Sequence, residues 1–389
     1  MADNKKTVLY LMEYPIDLPG GGQESTKTLC EGLAAGDEFV PVVACPALLH
    51  TKEDDLPFKV VTYHSDENRE LSKVKRVSNL LGRIAAFYRI IKKIRPDIIH
   101  VSMSESMITF GSLRCLGIFS DIPFIYTDRS LAKGYRKHSM ACLKMTLRHA
   151  ARLVTTTEYN AGLWKDLTGT KITVIPNTIS LAFSGYDPEG RKRARERYGI
   201  AEDETVIGLA GRISEEKDWG RAPSIVAAIK ESGIKMKVAL VLSLYEKRDE
   251  EIAKDLRDGI TETVGSGNLI YLQDLNQKEM SDYYYLVDFF IMTSCFESFG
   301  KAAVEAMSRK CIVLSTAVGG LPEVVGNTDD LYTVDDLSKL TRRVRELAES
   351  PGKESAEREA LYRRYRENYT IERNVEGHIR LYKEILGMA

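Results

Sequence analysis

Short apolar runs alternate with longer amphipathic segments along the 389-residue chain. Residues 7–12 (TVLYLM), 39–45, 58–63, 97–102, 123–127 and 152–157 are rich in Val, Ile and aromatic side chains and predict strands. Between most of them apolar positions return every three or four residues, as in 24–34 and 76–94, which predicts helices. Near-continuous apolar strands separated by helices imply a parallel sheet covered on both faces. The pattern then starts again, with strands expected at 205–211, 236–243, 268–273, 288–294 and 311–316. Between the two sets, 175–190 (IPNTISLAFSGYDPEG) has two prolines, two glycines and no periodicity, and reads as an interdomain linker. The tail reads as helices at 335–349, 353–368 and 371–386. The expected fold class is α/β, two doubly wound Rossmann-like domains, with ligands beyond the carboxyl ends of the strands.

Composition adds little to this picture. With 43% hydrophobic and 29% charged residues the chain is neither a disordered polyelectrolyte nor a membrane-embedded protein, and no apolar run reaches the length of a membrane span. The first residues carry no signal-peptide pattern, and the six cysteines are scattered without a CxxC pair. Both point to reduced core thiols in a cytoplasmic protein. Net charge is −1 and unevenly divided: residues 1–185 hold 24 Lys+Arg against 19 Asp+Glu (+5), and 186–389 hold 31 against 37 (−6). A basic first half suits an anionic acceptor or a membrane surface, and equally an uneven solvated surface. Nothing suggests nucleic-acid binding.

Three stretches carry candidate chemistry. PGGGQES (19–25) follows the first strand and opens a helix. Consecutive glycines there let backbone approach a ligand, with helix-start amides available to an anion, although the same pattern serves a plain flexible turn. GLAGRISEEKDWG (208–220) places Arg212 and Lys217 at a strand's carboxyl end, where two cations can grip a diphosphate unless Glu215, Glu216 or Asp218 pairs with them locally. ESFGKAAVEAM (297–307) holds two glutamates eight residues apart. On one helix they would stand about 80° out of line. Glu297 in the loop before the helix, and Glu305 two turns inside it, would instead meet a ligand at both ends. Ser298, Phe299, Gly300 and Lys301 would offer amides at the helix start. No DxD at a strand end and no His/Cys cluster has metal-ligand spacing, so no metal or other cofactor is expected.

Taken together, these segments resemble retaining glycosyltransferases of the GT-B fold, group 1 (family 4). ESFGKAAVEAM matches that family's E-x7-E motif, GRISEEK its G-R…K segment and VGGLPEVV (318–325) its V-G-G-x-P-E segment. GGGQES, PDIIHVS and VIPNT resemble its glycine loop, an N-domain strand and the linker entry, so the likeness spans nearly the whole chain in order. The resemblance implies two domains facing a central cleft: an acceptor-binding domain, 1–180 plus about 371–389, and a donor-binding domain, 186–370. The last helix crosses back to the first domain. It further implies sugar transfer from a nucleotide diphosphate sugar, UDP-sugar favoured, to a glycan, glycolipid or small-molecule acceptor, with retention and without metal. Arg212 and Lys217 would hold the diphosphate. Glu297 would contact the sugar and Glu305 the ribose. Gly21 and Gly22 would close on the diphosphate, and the amides of Phe299, Gly300 and Lys301 would lie near it.

Several positions depart from the family pattern. Arg129 stands where the family often has a His and, unable to act as a base, is expected to bind the donor or an anionic acceptor. His138 is nearby. Lys310, Ser243 and Asp274 replace common glycines. The basic stretch 136–152 is expected either as a packed helix with a charged face or as a helix making peripheral contact with anionic lipid. Two alternatives stay open: an epimerase or phosphorylase-like enzyme of the same fold, and a non-catalytic nucleotide-sugar-binding subunit.

Overall fold

The computed structural model describes residues 5–65 and 73–388, with the side chains at 73 and 76 left out. The chain forms two compact units, one of Met1–Thr178 with Ile371–Ala389 and one of Ile179–Thr370. In the first, strands β1 (Lys6–Leu11), β2 (Phe39–Pro46), β3 (Lys59–Tyr63), β4 (Ile98–Val101), β5 (Phe124–Asp128), β6 (Arg152–Thr155) and β7 (Ile172–Val174) lie in the order β3-β2-β1-β4-β5-β6-β7. In the second, β8 (Thr205–Arg212), β9 (Met236–Ser243), β10 (Leu269–Gln273), β11 (Phe289–Met292), β12 (Ile312–Thr316) and β13 (Leu331–Tyr332) lie in the order β10-β9-β8-β11-β12-β13.

The neighbours pair in parallel, for example Val8 with Ile98 and Phe289 with Ile207. Each sheet therefore winds outward from its first strand to one edge, then returns and runs to the other. That leaves a topological switch point, between β1 and β4 and between β8 and β11. Covering both faces is why the strands read as near-continuous apolar runs: all four residues of β4, His100 among them, and of β11 are buried.

The structure differs from the sequence reading in four places. Two edge strands, β7 and β13, were not expected. They are three and two residues long, too short to carry a periodic pattern. The basic stretch 136–152 is not one helix. The helix spans Lys137–Leu147, and Arg152 starts β6, where its guanidinium is buried and donates to Glu384 Oε1 at 2.7 Å. Its charge is thus consumed inside the unit. Of the six free cysteines, Cys30, Cys45 and Cys311 are buried, but Cys295 is exposed. Glu305 lies just past the first turn of its helix rather than two turns in, because the helix begins only at Lys301.

Helix Ile371–Leu386 belongs to the first unit and packs on helix Gly21–Ala34. A Cβ on Gly32 would stand 2.4 Å from Val375 Cγ2, so the two helices touch where only a glycine fits. Among the described residues no helix is long and apolar enough to cross a membrane.

Candidate active site

In the second unit the predicted residues converge at the ends of β8 and β11. Arg212 closes β8, is exposed, and has no carboxylate within 4 Å among the described residues. Its carbonyl accepts from the Trp219 indole at 2.7 Å, which fixes the backbone while leaving the guanidinium in solvent. Lys217 sits on the short helical turn Glu215–Lys217 and donates to Glu297 Oε2 at 2.8 Å, both side chains being about four-fifths covered. The local acids do not take the two cations: Asp218 pairs with Arg221 instead, at 2.8 Å. The loops carrying Lys217 and Glu297 are stitched together twice more. The Cys295 amide donates to Glu216 O at 2.9 Å, and the Thr293 hydroxyl donates to Lys217 O at 2.5 Å.

Helix Lys301–Ser308 follows. Its ladder begins with the Ala303 and Val304 amides on Gly300 O at 3.0 and 3.4 Å, which leaves the amides of Phe299, Gly300 and Lys301 ahead of it. The Phe299 side chain points into the core, edge-on to Tyr369 at 5.6 Å, so only its backbone can serve a ligand. Ser298 and Lys301 are half-buried. Glu305 is half-buried too and accepts from Tyr284 OH at 3.1 Å. That phenol supplies the partner that a carboxylate there needs.

Two glycines hold this geometry. Gly300, the residue before the helix, has φ 92, and a Cβ there would meet Leu321 Cδ2 at 2.4 Å. Gly319 has φ 57, and a Cβ there would lie 1.8 Å from the Glu297 carbonyl oxygen; the Gly320 amide donates to that same oxygen at 3.1 Å. The VGGLPEVV segment therefore clamps the backbone of Glu297 directly. Its double glycine was the available sign, but its target was not legible because the contact spans more than twenty residues of chain. Lys310 and Asp274 keep left-handed backbones with φ 60 and 51. Lys310 is held by Glu359 and by the Tyr186 and Tyr362 rings, 4.7 and 5.1 Å from its ammonium. The Asp274 carboxylate accepts from the Leu244 amide at 2.8 Å. In both cases side-chain contacts offset the strain of the conformation.

The first unit holds the other candidates. Gly21 and Gly22 are the first residues of helix Gly21–Ala34; Gly21 is exposed, with nothing within 4 Å of a Cβ placed on it. Arg129 follows β5. Its charge lies among Tyr10, Tyr382, Cys30 and Tyr126, and burial pulls its pKa down, with those groups opposing. Around it runs a buried polar network that sequence reading missed. Tyr10 OH and Tyr382 OH are 2.7 Å apart, and His100 lies 2.7 Å from both Tyr382 OH and Thr127 Oγ1. His378 Nδ1 is 2.8 Å from Asn374 O. Burial holds His100 well below its usual value and pushes His378 down to about 4, so both are neutral. Asp128, beside Arg129, is buried and accepts from Trp164, Asn160, Tyr135 and Ser130, which fixes the loop after β5. His138 is exposed on helix Lys137–Leu147. Glu13, past the end of β1, accepts from the Ser106 amide at 2.5 Å. Burial pushes it up to about 7.

Two doubly wound α/β units, one carrying a paired lysine and glutamate next to a helix start, define a GT-B-type architecture. Residues 190–368 match the family described as glycosyl transferases group 1, and residues 19–183 match Glycosyltransferase Family 4. The chain belongs to the group 1 glycosyltransferases. It is 27% identical to the 2-deoxystreptamine glucosyltransferase of Streptomyces kanamyceticus over 220 residues, 55% of each chain. It is 32% identical to the D-inositol 3-phosphate glycosyltransferase of Mycobacterium ulcerans over 159 residues, 39% of this chain and 32% of that one. The chain thus spans about half or less of the length of the curated relatives it matches. Among solved structures, Anabaena HepE in complex with UDP and glucose superposes with a TM-score of 0.78 at 15% identity, covering 97% of this chain and 99% of that one. Sucrose-phosphate synthase from Thermosynechococcus elongatus gives 0.82 at 16% identity, covering 99% and 100%. At these identities the two structures establish the fold alone.

Proposed function

We propose that the chain transfers a sugar from a nucleotide diphosphate sugar to an acceptor hydroxyl, with retention at the anomeric carbon and without a metal. The observation that carries this reading is the Lys217–Glu297 pair at 2.8 Å, set between the exposed Arg212 and the start of helix Lys301–Ser308. A diphosphate seated on Arg212 and the helix-start amides would draw the Lys217 ammonium to itself and release Glu297 to the sugar hydroxyls. Glu305, held by Tyr284, would accept from the ribose. As the bond between the anomeric carbon and the phosphate oxygen breaks, negative charge grows on the leaving diphosphate. The two cations and the amides stabilise it, each such donor contributing roughly 3–4 kcal/mol. The acceptor oxygen bonds to the anomeric carbon from the face the diphosphate leaves, and its proton passes to the departing phosphate.

Uridine is the favoured base: Anabaena HepE was solved with UDP, and a glucosyltransferase stands among the relatives. The first unit would take the acceptor, a glycan, glycolipid or small molecule, with Arg129 meeting an anionic group. The test is a donor screen read by mass spectrometry in the presence of EDTA. Release of UDP from a UDP-sugar, with the label appearing on an acceptor or on water, is expected. UDP binding with no turnover would mark a binding subunit instead, and loss of turnover in EDTA would restore a metal to the reaction.

A further inference from the structure

The loop that carries Glu297 is held from behind at three points. The Gly320 amide donates to the Glu297 carbonyl at 3.1 Å, the Leu321 side chain fills the space that a Cβ on Gly300 would need, and the Tyr369 ring meets Phe299 edge-on at 5.6 Å. The first two contacts come from the start of helix Leu321–Val325, the third from the residue that ends helix Pro351–Asn368.

Helix Leu321–Val325 has only five residues, too few to hold itself in place. The amides of Val324 and Gly326 reach back to the Gly320 and Pro322 carbonyls, each at 3.0 Å, and the carbonyls of Glu323 and Val324 fall beyond that short ladder. One side chain takes both. Arg364, on helix Pro351–Asn368, donates from Nη2 to Glu323 O at 2.5 Å and from Nε to Val324 O at 2.8 Å. The Tyr369 hydroxyl stands 3.4 and 3.3 Å from the same two oxygens. The fit is close: Gly326 has φ 81, and a Cβ there would lie 2.5 Å from the guanidinium carbon of Arg364.

Two arginines on one helix show the contrast. Arg358 pairs with Asp288 at 2.6 Å and with Glu354, at the amino end of β11. Arg364 has no carboxylate within 4 Å among the described residues, and its fork goes to two consecutive backbone carbonyls at a helix end. Such a cap would serve stability alone if the other end of the small helix were free. That other end is the Gly319–Gly320 turn, which abuts the Glu297 carbonyl, so fixing one end sets the position of the other.

We propose that Arg364 is a positioning residue for Glu297, acting through helix Leu321–Val325. The proposal rests on the reading of Glu297 as the group that meets the sugar. Without the fork the small helix shifts, the Gly320 amide leaves the Glu297 carbonyl, and the carboxylate loses its alignment with Lys217. The Arg212 and Lys217 cations stay where they are, so the loss falls on turnover more than on donor binding.

The experiment compares Arg364→Met with Arg358→Met in the full chain, well below both melting temperatures. UDP release is followed with the UDP-sugar that the donor screen selects. Arg364→Met should lower kcat about 10-fold to 100-fold with the donor KM changed less than about threefold. Arg358→Met should lower the melting temperature and keep kcat within about threefold. Arg364→Lys, lacking the planar fork, should fall between parent and Arg364→Met. Gly326→Ala keeps the arginine but drives a methyl into its guanidinium, and should lower kcat as well. Hydrogen exchange read by mass spectrometry tests the same coupling with no substrate present: in Arg364→Met the amides of 297–300 and of 319–326 should exchange at least about tenfold faster, and in Arg358→Met neither should. Equal kcat losses in the two methionine variants at equal loss of melting temperature would overturn the proposal. So would faster exchange at 321–326 with none at 297–300. A parent that releases no UDP would count against the proposed chemistry, and the exchange result would still decide whether Arg364 holds the Glu297 loop.

Discussion

At the end of β8 in the second unit, Arg212 projects into solvent and Lys217 shares one partially covered ion pair with Glu297. On β1, β4 and β5 of the first unit, the polar side chains Tyr10, His100 and Thr127 are sealed inside and bonded chiefly to one another and to Tyr382 of the returning helix. Both sheets are wound by the same rule, yet one ends in charges that reach solvent and the other in a buried polar network, bonded mainly within itself, beside the Arg129 guanidinium. A switch point supplies a location, and the residues at it decide whether that location is chemical or structural.

The comparison breaks most sharply at the ion pair. Lys217→Ala should lower turnover about a hundredfold to a thousandfold with the melting temperature little changed. A rate within a factor of a few of the parent would place the chemistry elsewhere. Next come two glycines, one in each unit. Gly319→Ala drives a Cβ into the Glu297 carbonyl and should cost about 2–4 kcal/mol of stability, read by denaturant titration, together with activity. Gly21→Ala has open space and a helical position, so the fold should be unaffected or slightly steadier. A fall in donor affinity without a fall in stability would then mean that Gly21 is kept for the ligand.

The sealed network is tested by acid. His378 is pushed to about 4 from an ordinary 6.5, so the unfolded chain takes up a proton that the folded chain refuses. Its contribution is present above pH 6.5 and drains away as pH falls toward 4, reaching roughly 3 kcal/mol. Glu13 has the opposite sign. Raised from 4.5 to about 7, it contributes fully below pH 4.5 and loses that contribution as pH rises through 7. His378→Gln should therefore flatten the acid limb of stability against pH, and Glu13→Gln the limb between 4.5 and 7. Parallel curves for parent and variant would refute either assignment. The smallest effect is expected from Glu305→Gln, which should weaken UDP binding severalfold while leaving sugar choice alone.

The strands were legible because burial on both faces writes itself as runs such as VALVL in β9. β7 and β13 were not, since an edge strand of two or three residues needs only a neighbour and no pattern. The candidate site in the second unit was legible as a set of motifs, each at the end of an expected strand. Its wiring was not: Lys217 and Glu297 are 80 residues apart, and the sequence offers three nearer carboxylates. The first unit's network was hidden for the same reason more strongly, because His100 and Tyr382 meet across 282 residues. Lys310 and Asp274 teach the complementary lesson. A left-handed backbone there needs no glycine, because rings and hydrogen bonds around the side chain hold the turn.

The interrupted path of the first unit sets an order for biosynthesis. Its sheet is fully translated by residue 174, but the helix that covers Tyr10, Phe39 and His100 is encoded only from residue 371 onward. At about 5–20 residues per second the ribosome needs roughly 10–40 s to cross that interval. The second unit, contiguous in the chain, can mature first. Until that helix emerges, Tyr10, Phe39 and His100 lack the contacts that Tyr382 supplies.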